Sequence, residues 1–186
     1  LHDSIRDNLL NLVNLVRSSV ALGYYKPYGM SSSNDMNQLK WDCDLESIAQ
    51  EAVQKCPKFA KFSGKPNAIN FNYYAPGASL VEHSNPLMNS ILTWIETAKV
   101  KWPANNSLNE NRAPYNFANM INANATAVGC YIAHCGNRVS TACVFSQPKP
   151  RVGTLVYTSG NTCKPDSKCS SNKNGLCKAG LCTLNA

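Results

Sequence analysis

Nine cysteines are the side chains with the most evident chemistry in this 186-residue chain. They are distributed over predicted helices, a hairpin and a dense tail, not in the paired Cys-x-x-Cys spacing of zinc ligands, and His134 is the one histidine beside them. This distribution favours disulfides and an oxidising, extracellular compartment. Because nine is an odd number, one cysteine is expected to be free or to pair outside the chain. A partner upstream of Leu1 is favoured, since Leu1 adjoins a predicted helix.

Histidines and carboxylates supply little further chemistry. His2 is terminal, His83 lies in a predicted loop and His134 in a predicted hairpin, so each fits a surface position better than a ligand position. Glu96 lies at the margin of the apolar stripe of a helix, which favours a solvent-exposed carboxylate over one that lines a cleft. No imidazole is placed to activate a serine, so an enzyme is the least supported class.

The net charge of +7 is concentrated near the end of the chain. Residues 147–186 contain six Lys or Arg residues against one Asp, which is +5 and leaves about +2 for the first 146. Such a tail can bind nucleic acid, anionic lipid or glycosaminoglycan, but lysines spaced singly among cysteines favour a solvated tail and no nucleic-acid partner. No apolar run approaches the roughly 20 residues of a membrane span. No signal peptide is visible, which suggests a processed form.

Three apolar stripes with helical spacing predict the helices that position these residues. They cover residues 3–22, residues 45–56 after an Asp cap, and residues 86–98 after Asn85. Residues 24–41 and 57–82 lack this spacing and are predicted to be loops. The second loop carries an aromatic patch of Phe71, Tyr73 and Tyr74, which core packing explains.

The segment from Tyr115 to Phe145 predicts a short helix followed by two cysteine-bearing strands around a Gly136-Asn137 turn. The tail at 161–182 has too few apolar residues for a core, so two local disulfides are expected to hold it as a small appendage. Helices followed by late strands predict an α+β fold with three layers.

Particular residues resemble the CAP superfamily (SCP/TAPS, pathogenesis-related-1-like), and more narrowly the secreted ASP, or venom-allergen-like, proteins of parasitic nematodes. They are Arg6, Leu9, Leu10, Asn14, Arg17, Ser18, Ser19, Ala21, Leu22, Gly23, the run from Trp41 to Glu46, Cys56, Trp94, Glu96, Met120, Gly129, Cys130, Cys135, Cys143, and the terminal Gly-Leu-Cys repeats at 175–177 and 180–182. The resemblance implies an α-β-α sandwich over residues 1–147 and a cysteine-rich, hinge-like extension over 148–186.

The resemblance also implies a set of disulfides. Cys43 would pair with Cys135, Cys130 with Cys143, and Cys56 with a cysteine upstream of Leu1. The remaining four would form two bridges in the tail, among Cys163, Cys169, Cys177 and Cys182.

This sequence departs most from the resembled family at the residues of the cleft. Typical members hold two histidines and two glutamates there, which can bind a divalent metal. Here the first histidine is absent after Cys56, Ile69 replaces a glutamate, Asn116 replaces the second histidine, and Glu96 alone is kept. One carboxylate and one neutral amide are too few donors for a tight zinc site, so no metal or other cofactor is expected.

Two non-enzymatic functions therefore remain. The first is a secreted effector, monomeric or weakly dimeric, that binds a host protein through the sandwich surface or the loops at 24–41 and 103–114. The resemblance makes a cell-surface receptor or an integrin of platelets or leukocytes a candidate partner. The second is transport of a sterol or fatty acid in a groove. Candidate groove residues are Phe71, Tyr73, Tyr74, Leu87 and Met88. The sequons at Asn105 and Asn124 could carry glycans.

Overall fold

A computed structural model describes residues 1–60, 66–77, 85–99, 102–109, 114–169 and 175–183. The helices and strands, in chain order, are α1 (Asp3–Ala21), β1 (Lys40–Trp41), α2 (Cys43–Val53), β2 (Asn67–Tyr74), α3 (Pro86–Glu96), α4 (Tyr115–Ile121), β3 (Ala127–Cys135), β4 (Arg138–Pro148), β5 (Cys177–Lys178) and β6 (Leu181–Cys182). Two single 3₁₀ turns cover Lys26–Tyr28 and Thr97–Lys99. None of the described helices is both long and apolar enough to cross a membrane.

The helices begin where the sequence places capping residues. The Asp42 carboxylate accepts the N–H of Leu45 at 2.9 Å at the start of α2. The Asn85 side chain accepts the N–H of Met88, and Pro86 occupies the first position of α3. These contacts satisfy backbone donors that a helix leaves open at its first turn. Helix α1 ends at Gly23, whose φ of +83° is a conformation that glycine adopts without steric cost.

Four strands form the central sheet in the order β1-β3-β4-β2. Strand β1 is parallel to β3, whereas β4 is antiparallel to both β3 and β2. Alternate residues of β4 face opposite sides, so that Cys143 and Phe145 join the larger core with α1, α3 and α4, while Ala142 and Val144 pack with α2. This is the α-β-α sandwich predicted from the sequence, and the α+β prediction is confirmed.

Strand β2 corrects the loop prediction for residues 57–82. Asn67–Tyr74 pairs along β4, with Ile69 opposite Val144 and Tyr74 opposite Val139. Apolar residues at 69, 71 and 73 alternate with asparagines at 70 and 72, which is the two-residue alternation of a strand. The loop prediction relied on the absence of helical spacing and is therefore wrong for this segment.

Gly129 allows α2 to lie directly on the sheet. A Cβ atom built at this position of β3 would lie 2.1 Å from the backbone nitrogen of Glu46 and 2.6 Å from the carbonyl oxygen of Asp42. Any side chain there would collide with the first turn of α2, and backbone cannot rotate away as a flexible side chain can. Glycine at this position thus sets the spacing of two layers.

The disulfides differ in part from the expected set. The structure joins Cys130 to Cys143, and forms the tail bridges Cys163–Cys177 and Cys169–Cys182. It also joins Cys56 to Cys135. The predictions that Cys43 pairs with Cys135, and Cys56 with an upstream cysteine, are therefore wrong.

The positions of the two cysteines at opposite ends of α2 explain this difference. After α2 the chain turns through Lys55 and Cys56, both with positive φ, which brings Cys56 to the hairpin end of β3, where Cys135 lies. Cys43 lies at the opposite end of α2, in its first turn, where it is exposed and free.

Arg17 anchors the interior of the larger core. Its guanidinium is fully buried and donates six hydrogen bonds, all to backbone carbonyl oxygens. The acceptors are Asn37, Met120, Asn122, Ala123 and Ala125. Burial lowers the pKa of Arg17, but the group remains charged at neutral pH. This one side chain fixes the segment after α4 against the segment before β1.

The C-terminal extension packs against the sandwich through many contacts. Tyr157 and Leu181 belong to the larger core, and the hydroxyl of Tyr157 donates to the carbonyl of Ser31 at 2.9 Å. The extension also contacts α1: the hydroxyl of Thr162 donates to the carbonyl of Ala21 at 2.6 Å. A tail with few apolar residues of its own therefore shares the core of the main domain.

Asn106 links the extension to the loop before α4. The indole N–H of Trp102 donates to its side-chain oxygen at 2.8 Å, and its side-chain nitrogen donates to the hydroxyls of Ser31 and Ser159. Its own carbonyl accepts the N–H of Val156. Asn106 is 1% exposed, so hydrogen bonds to one buried residue join the loop before α4, the segment at Ser31 and the extension.

Candidate functional site

Glu96 lies at the C-terminal end of α3, at the surface of the sandwich. Its side chain is 59% exposed and forms an ion pair with Lys99, three residues later in the following 3₁₀ turn. The Glu96 carboxylate raises the pKa of Lys99 through a hydrogen bond and its charge. The carboxylate is thus engaged with a surface cation, as the spacing predicted for a helix-edge residue.

Asn116 acts through its backbone. The carbonyl oxygen of this half-buried residue accepts the side-chain N–H of Asn70 at 2.8 Å, and the side-chain nitrogen of Asn119 donates to Asn70 Oδ1 at 2.9 Å. These bonds attach α4 to β2. Within the described part of the chain, Asn119 Oδ1 is a buried acceptor with no partner. An amide network therefore occupies the side of β2 that faces α4.

Ile69 lies on the other face of β2. It packs with Phe71 and Ile48 in the smaller core beneath α2. The three degenerate cleft positions are consequently not brought together: Ile69 faces α2, Asn116 is bonded through its carbonyl to β2, and Glu96 is exposed beside Lys99.

The donors present do not fit a divalent metal. Ile69 has no donor atom and the Asn116 carbonyl is already bonded. Among the residues that the structure describes, no group of three or more His, Cys, Asp or Glu side chains could hold a metal ion. His134 is exposed on β3, His2 precedes α1 and bonds Ser4, and His83 lies outside the described residues. The chemistry expected of the family's cleft cannot be derived from these groups.

A pair of adjoining cavities lies where Glu96 reaches the surface. One has a volume of about 280 Å³ and is lined by Tyr25, Tyr28, Ile95, Glu96, Ala98 and Lys99. The other, of about 420 Å³, is lined by Lys26, Pro27, Tyr28, Gly29 and Lys99. Tyr28 and Lys99 line both, so the two cavities share a wall. We call this region the tyrosine cleft.

The electrostatics of the tyrosine cleft favour a neutral phenol at Tyr25, with the cation of Lys99 in the same cleft. Burial raises the pKa of Tyr25, and the nearby Tyr28 and Glu96 act in the same direction. The ring of Tyr25 packs against Tyr28 and Phe117, with centroid distances of 5.7 and 5.5 Å. The cleft thus offers aromatic faces and hydroxyl groups on a packed base, with Lys99 at the wall.

Tyr24 precedes the cleft residue Tyr25 in the sequence. It is 72% exposed, and Tyr28 is 39% exposed. Both lie in the loop at 24–41, one of the two loops predicted from the sequence to bind a host protein, although neither tyrosine was singled out there. The sequence feature that could have identified them is the cluster of three tyrosines at 24, 25 and 28 within a predicted surface loop. Residues 110–113 of the other predicted binding loop lie outside the described residues.

The five candidate lipid-groove residues do not form one groove. Phe71 packs beneath α2, whereas Tyr74 faces α3, where its hydroxyl bonds Ser90 and the carbonyl of Pro86. Leu87 is 3% exposed in the larger core, Met88 packs against that core, and Tyr73 is half-buried.

Both sequon asparagines are exposed. Asn105 Oδ1 accepts the N–H of Ser107 at 3.1 Å, within its own sequon. Asn124 follows α4, and its N–H donates to Asn122 Oδ1 at 3.2 Å. Their exposure is compatible with glycans, which remain predictions.

The fold and the sequence match a known family. The model of the cysteine-rich secretory protein family, or CAP family, matches residues 10–146. The chain therefore belongs to the CAP family.

One curated relative and one solved structure match nearly the whole chain. The chain is 27% identical over 184 residues to the Ancylostoma secreted protein of Ancylostoma caninum, which covers 97% of this chain and 43% of that protein. The crystal structure of Na-ASP-1 superposes with a TM-score of 0.86 at 25% identity, over 100% of this chain and 47% of that one. This chain thus spans less than half the length of either relative.

A third match carries a functional name. The crystal structure of Hookworm Platelet Inhibitor has a TM-score of 0.61 at 20% identity, over 95% of this chain and 91% of that one. At this identity the likeness shows the fold alone.

Proposed function

We propose that this chain is a secreted, non-enzymatic effector of a parasitic nematode that acts by binding a host protein. The observation that carries the proposal is the state of the cleft: Ile69 faces α2, Asn116 binds β2 through its backbone, and Glu96 is paired with Lys99 at the surface. The packing and the disulfides of the sandwich remain in place around it. A rigid scaffold without reactive groups in its cleft supports recognition better than catalysis.

The relatives support the extracellular part of the proposal. A relative named as a secreted protein matches nearly the whole chain, and four disulfides form in the structure. Disulfides of this density are stable outside the cytosol. The platelet inhibitor shares the fold, which makes interference with integrin-mediated adhesion of platelets or leukocytes the first version to test.

The tyrosine cleft is the surface that we assign to the partner. Tyr24 and Tyr28 are large, exposed and amphipathic, and tyrosine is enriched among residues that dominate the energy of protein interfaces. Lys26, which lines the cleft with Tyr28, would favour a partner with acidic side chains, whereas Lys99 is already paired with Glu96. The packed rings of Tyr25 and Phe117 beneath limit the entropy lost on binding.

The experiment is capture from host plasma and cell-surface extract with disulfide-bonded protein, followed by titration of the captured partner. The double substitution Tyr24→Ala and Tyr28→Ala is expected to weaken binding about a hundredfold, which corresponds to two moderate hot spots. Phe59→Ala is the matched control, because Phe59 is 81% exposed far along the chain from this cleft. Equal affinity in the wild type and the double variant would reject the assigned surface.

Adhesion assays test the integrin version separately. Saturable binding to platelets or leukocytes, with inhibition of their adhesion, is expected. Its absence would reject an integrin partner and leave other host proteins open to the capture experiment.

The lipid-transport alternative is tested by extracting co-purified lipid for mass spectrometry and by titrating the protein with a sterol. Lipid transport requires that the protein binds sterol or fatty acid in these experiments.

A further inference from the structure

A second concave surface lies at the end of β4 and shares no lining residue with the tyrosine cleft. It is a groove of about 270 Å³ whose cationic side chains are Lys149 and Arg151. The amide side chains of Asn122, Asn124 and Gln147 also line it. Pro148, Pro150 and Leu155 supply its apolar surface, and Thr154 completes the lining. We call it the basic groove.

The walls of the basic groove are fixed by hydrogen bonds. The segment at 122–125 is held from within by Arg17, which donates to three of its carbonyls. The N–H of Ala123 donates to the carbonyl of Val156 at 2.9 Å, which joins one wall to the other. The opposite wall is closed as a turn, because the N–H and the hydroxyl of Thr154 both donate to the carbonyl of Arg151. The groove is therefore preorganised.

The charge of this part of the chain is one-sided. Residues 1–110 contain ten Lys or Arg and ten Asp or Glu, whereas residues 111–186 contain eight Lys or Arg and only Asp166. The whole net charge of +7 thus resides in the second part. Neither Lys149 nor Arg151 forms an ion pair with a residue that the structure describes. The ammonium of Lys149 lies 3.5 Å from the ring centroid of Tyr115, which orients it.

The lining suits a sulfated sugar. Lys and Arg bind sulfate oxygens through charge-assisted hydrogen bonds, and Asn and Gln amides bind hydroxyl groups. Proline and leucine surfaces can pack on the apolar face of a pyranose ring. No aromatic side chain lines the groove for nucleobase stacking. A concave, amide-lined surface also suits a lipid bilayer less well than a protruding apolar one.

We propose that the basic groove binds a segment of a sulfated glycosaminoglycan, which would retain the protein at cell surfaces or in extracellular matrix. This inference is independent of the host-protein partner, because it uses a different surface. A glycan on Asn124, which lines the groove, would cover the site, so the occupancy of that sequon would control binding.

The test is calorimetric titration with a heparin-derived oligosaccharide of defined length, in an Asn124→Gln background that keeps an amide and removes the sequon. The double substitution Lys149→Ser and Arg151→Ser is expected to weaken binding at least about tenfold. The control is Lys58→Ser with Arg138→Ser, two exposed cations elsewhere, which removes the same charge and is expected to weaken binding less than about threefold.

Two further measurements test the contribution of Arg151 and of the sulfate groups separately. Arg151→Ser alone leaves the Lys149–Tyr115 contact intact, so it should keep the wild-type melting temperature and still weaken binding about threefold. Chemically desulfated oligosaccharide should not bind. Equal losses in the two double variants, undiminished binding of the desulfated sugar, or binding to phosphatidylserine vesicles without binding to the oligosaccharide would each overturn the proposal.

Discussion

Two regions of this molecule contain charged side chains that differ in their burial and in their bonding partners. Around Arg17, a charged group is fully buried and every bond that it donates goes to a backbone carbonyl. At the tyrosine cleft, the charged pair Glu96 and Lys99 is exposed and joins two residues three positions apart. The buried charge thus binds segments that are distant in the chain, whereas the exposed pair is local. The difference predicts that substitutions at Arg17 change stability, and that substitutions at the cleft leave it nearly unchanged.

The largest expected effect tests the interior region. Arg17→Met would remove the guanidinium donor from five backbone carbonyls, of which Asn122 and Ala123 keep a backbone N–H donor, and is expected to lower the free energy of unfolding by about 4 kcal/mol. Urea unfolding under oxidising conditions measures this. Arg138→Met serves as the control, since Arg138 is exposed, and a change within about 0.5 kcal/mol is expected there. Similar losses for the two variants would contradict the role of Arg17.

Gly129→Ala tests the contact between layers. The added methyl would overlap backbone atoms of Asp42 and Glu46, so a loss of about 3 kcal/mol or more is expected in the same unfolding measurement. Gly136→Ala is the control, because no atom lies within 4 Å of its added Cβ and the cost is limited to the φ of +64°, about 1 kcal/mol. A larger loss at Gly136 would refute the close approach.

Glu46 makes the fold sensitive to acid at the contact between the start of α1 and α2. Burial raises the pKa of this carboxyl, but hydrogen bonds, those from Arg6 and Trp41 among them, outweigh burial, and the net pKa is lowered below its ordinary value of 4.5. Folding then favours the charged form. Its contribution is complete above pH 4.5 and declines as the pH falls through the lower, folded-state pKa.

Glu46→Gln is accordingly expected to cost about 2 kcal/mol at neutral pH. The difference from the wild type should shrink as the pH falls below 4.5, and should disappear below the folded-state pKa, where the wild-type carboxyl is protonated in both states. Thermal unfolding between pH 3 and 7 measures it, with the pH taken in steps of about half a unit. A difference that stays constant with pH would show that the ionised carboxylate is not the stabilising group.

The smallest expected effect tests the cleft. Glu96→Gln should change the free energy of unfolding by less than about 0.5 kcal/mol, because both members of its ion pair are more than half exposed. Calorimetry with zinc is expected to show no binding at micromolar concentrations in either protein. Zinc binding at micromolar affinity or tighter that is lost in the variant would restore a metal role for this cleft.

The sequence predicted the elements whose pattern is strong. The apolar stripe of α1, the Asp42 and Asn85 caps and the hairpin at Gly136-Asn137 all lie where the periodicity and turn residues place them. In the structure this hairpin places Cys130 opposite Cys143, the pair that the resemblance implied. These features depend on local preferences, which a sequence displays directly.

Features that depend on distant contacts were not predictable. The pairing of Cys56 with Cys135 depends on the turn after α2, and β2 pairs with β4, which lies far along the chain. Arg17 gave a signal, as a charged residue within the buried stripe of α1, but its acceptors lie between 20 and 108 residues away. The tyrosine cleft likewise combines a loop with the distant end of α3.

The shared core of the C-terminal extension sets a practical boundary for recombinant work. Val156, Tyr157 and Leu181 are each less than 5% exposed, so a fragment ending at residue 147 would present their former contact surfaces to solvent. We expect such a fragment to aggregate or to be degraded during production. A fragment that continues through Thr183 retains both tail disulfides and the backbone bonds between Cys182 and the 36–38 segment, and is the shorter unit to crystallise.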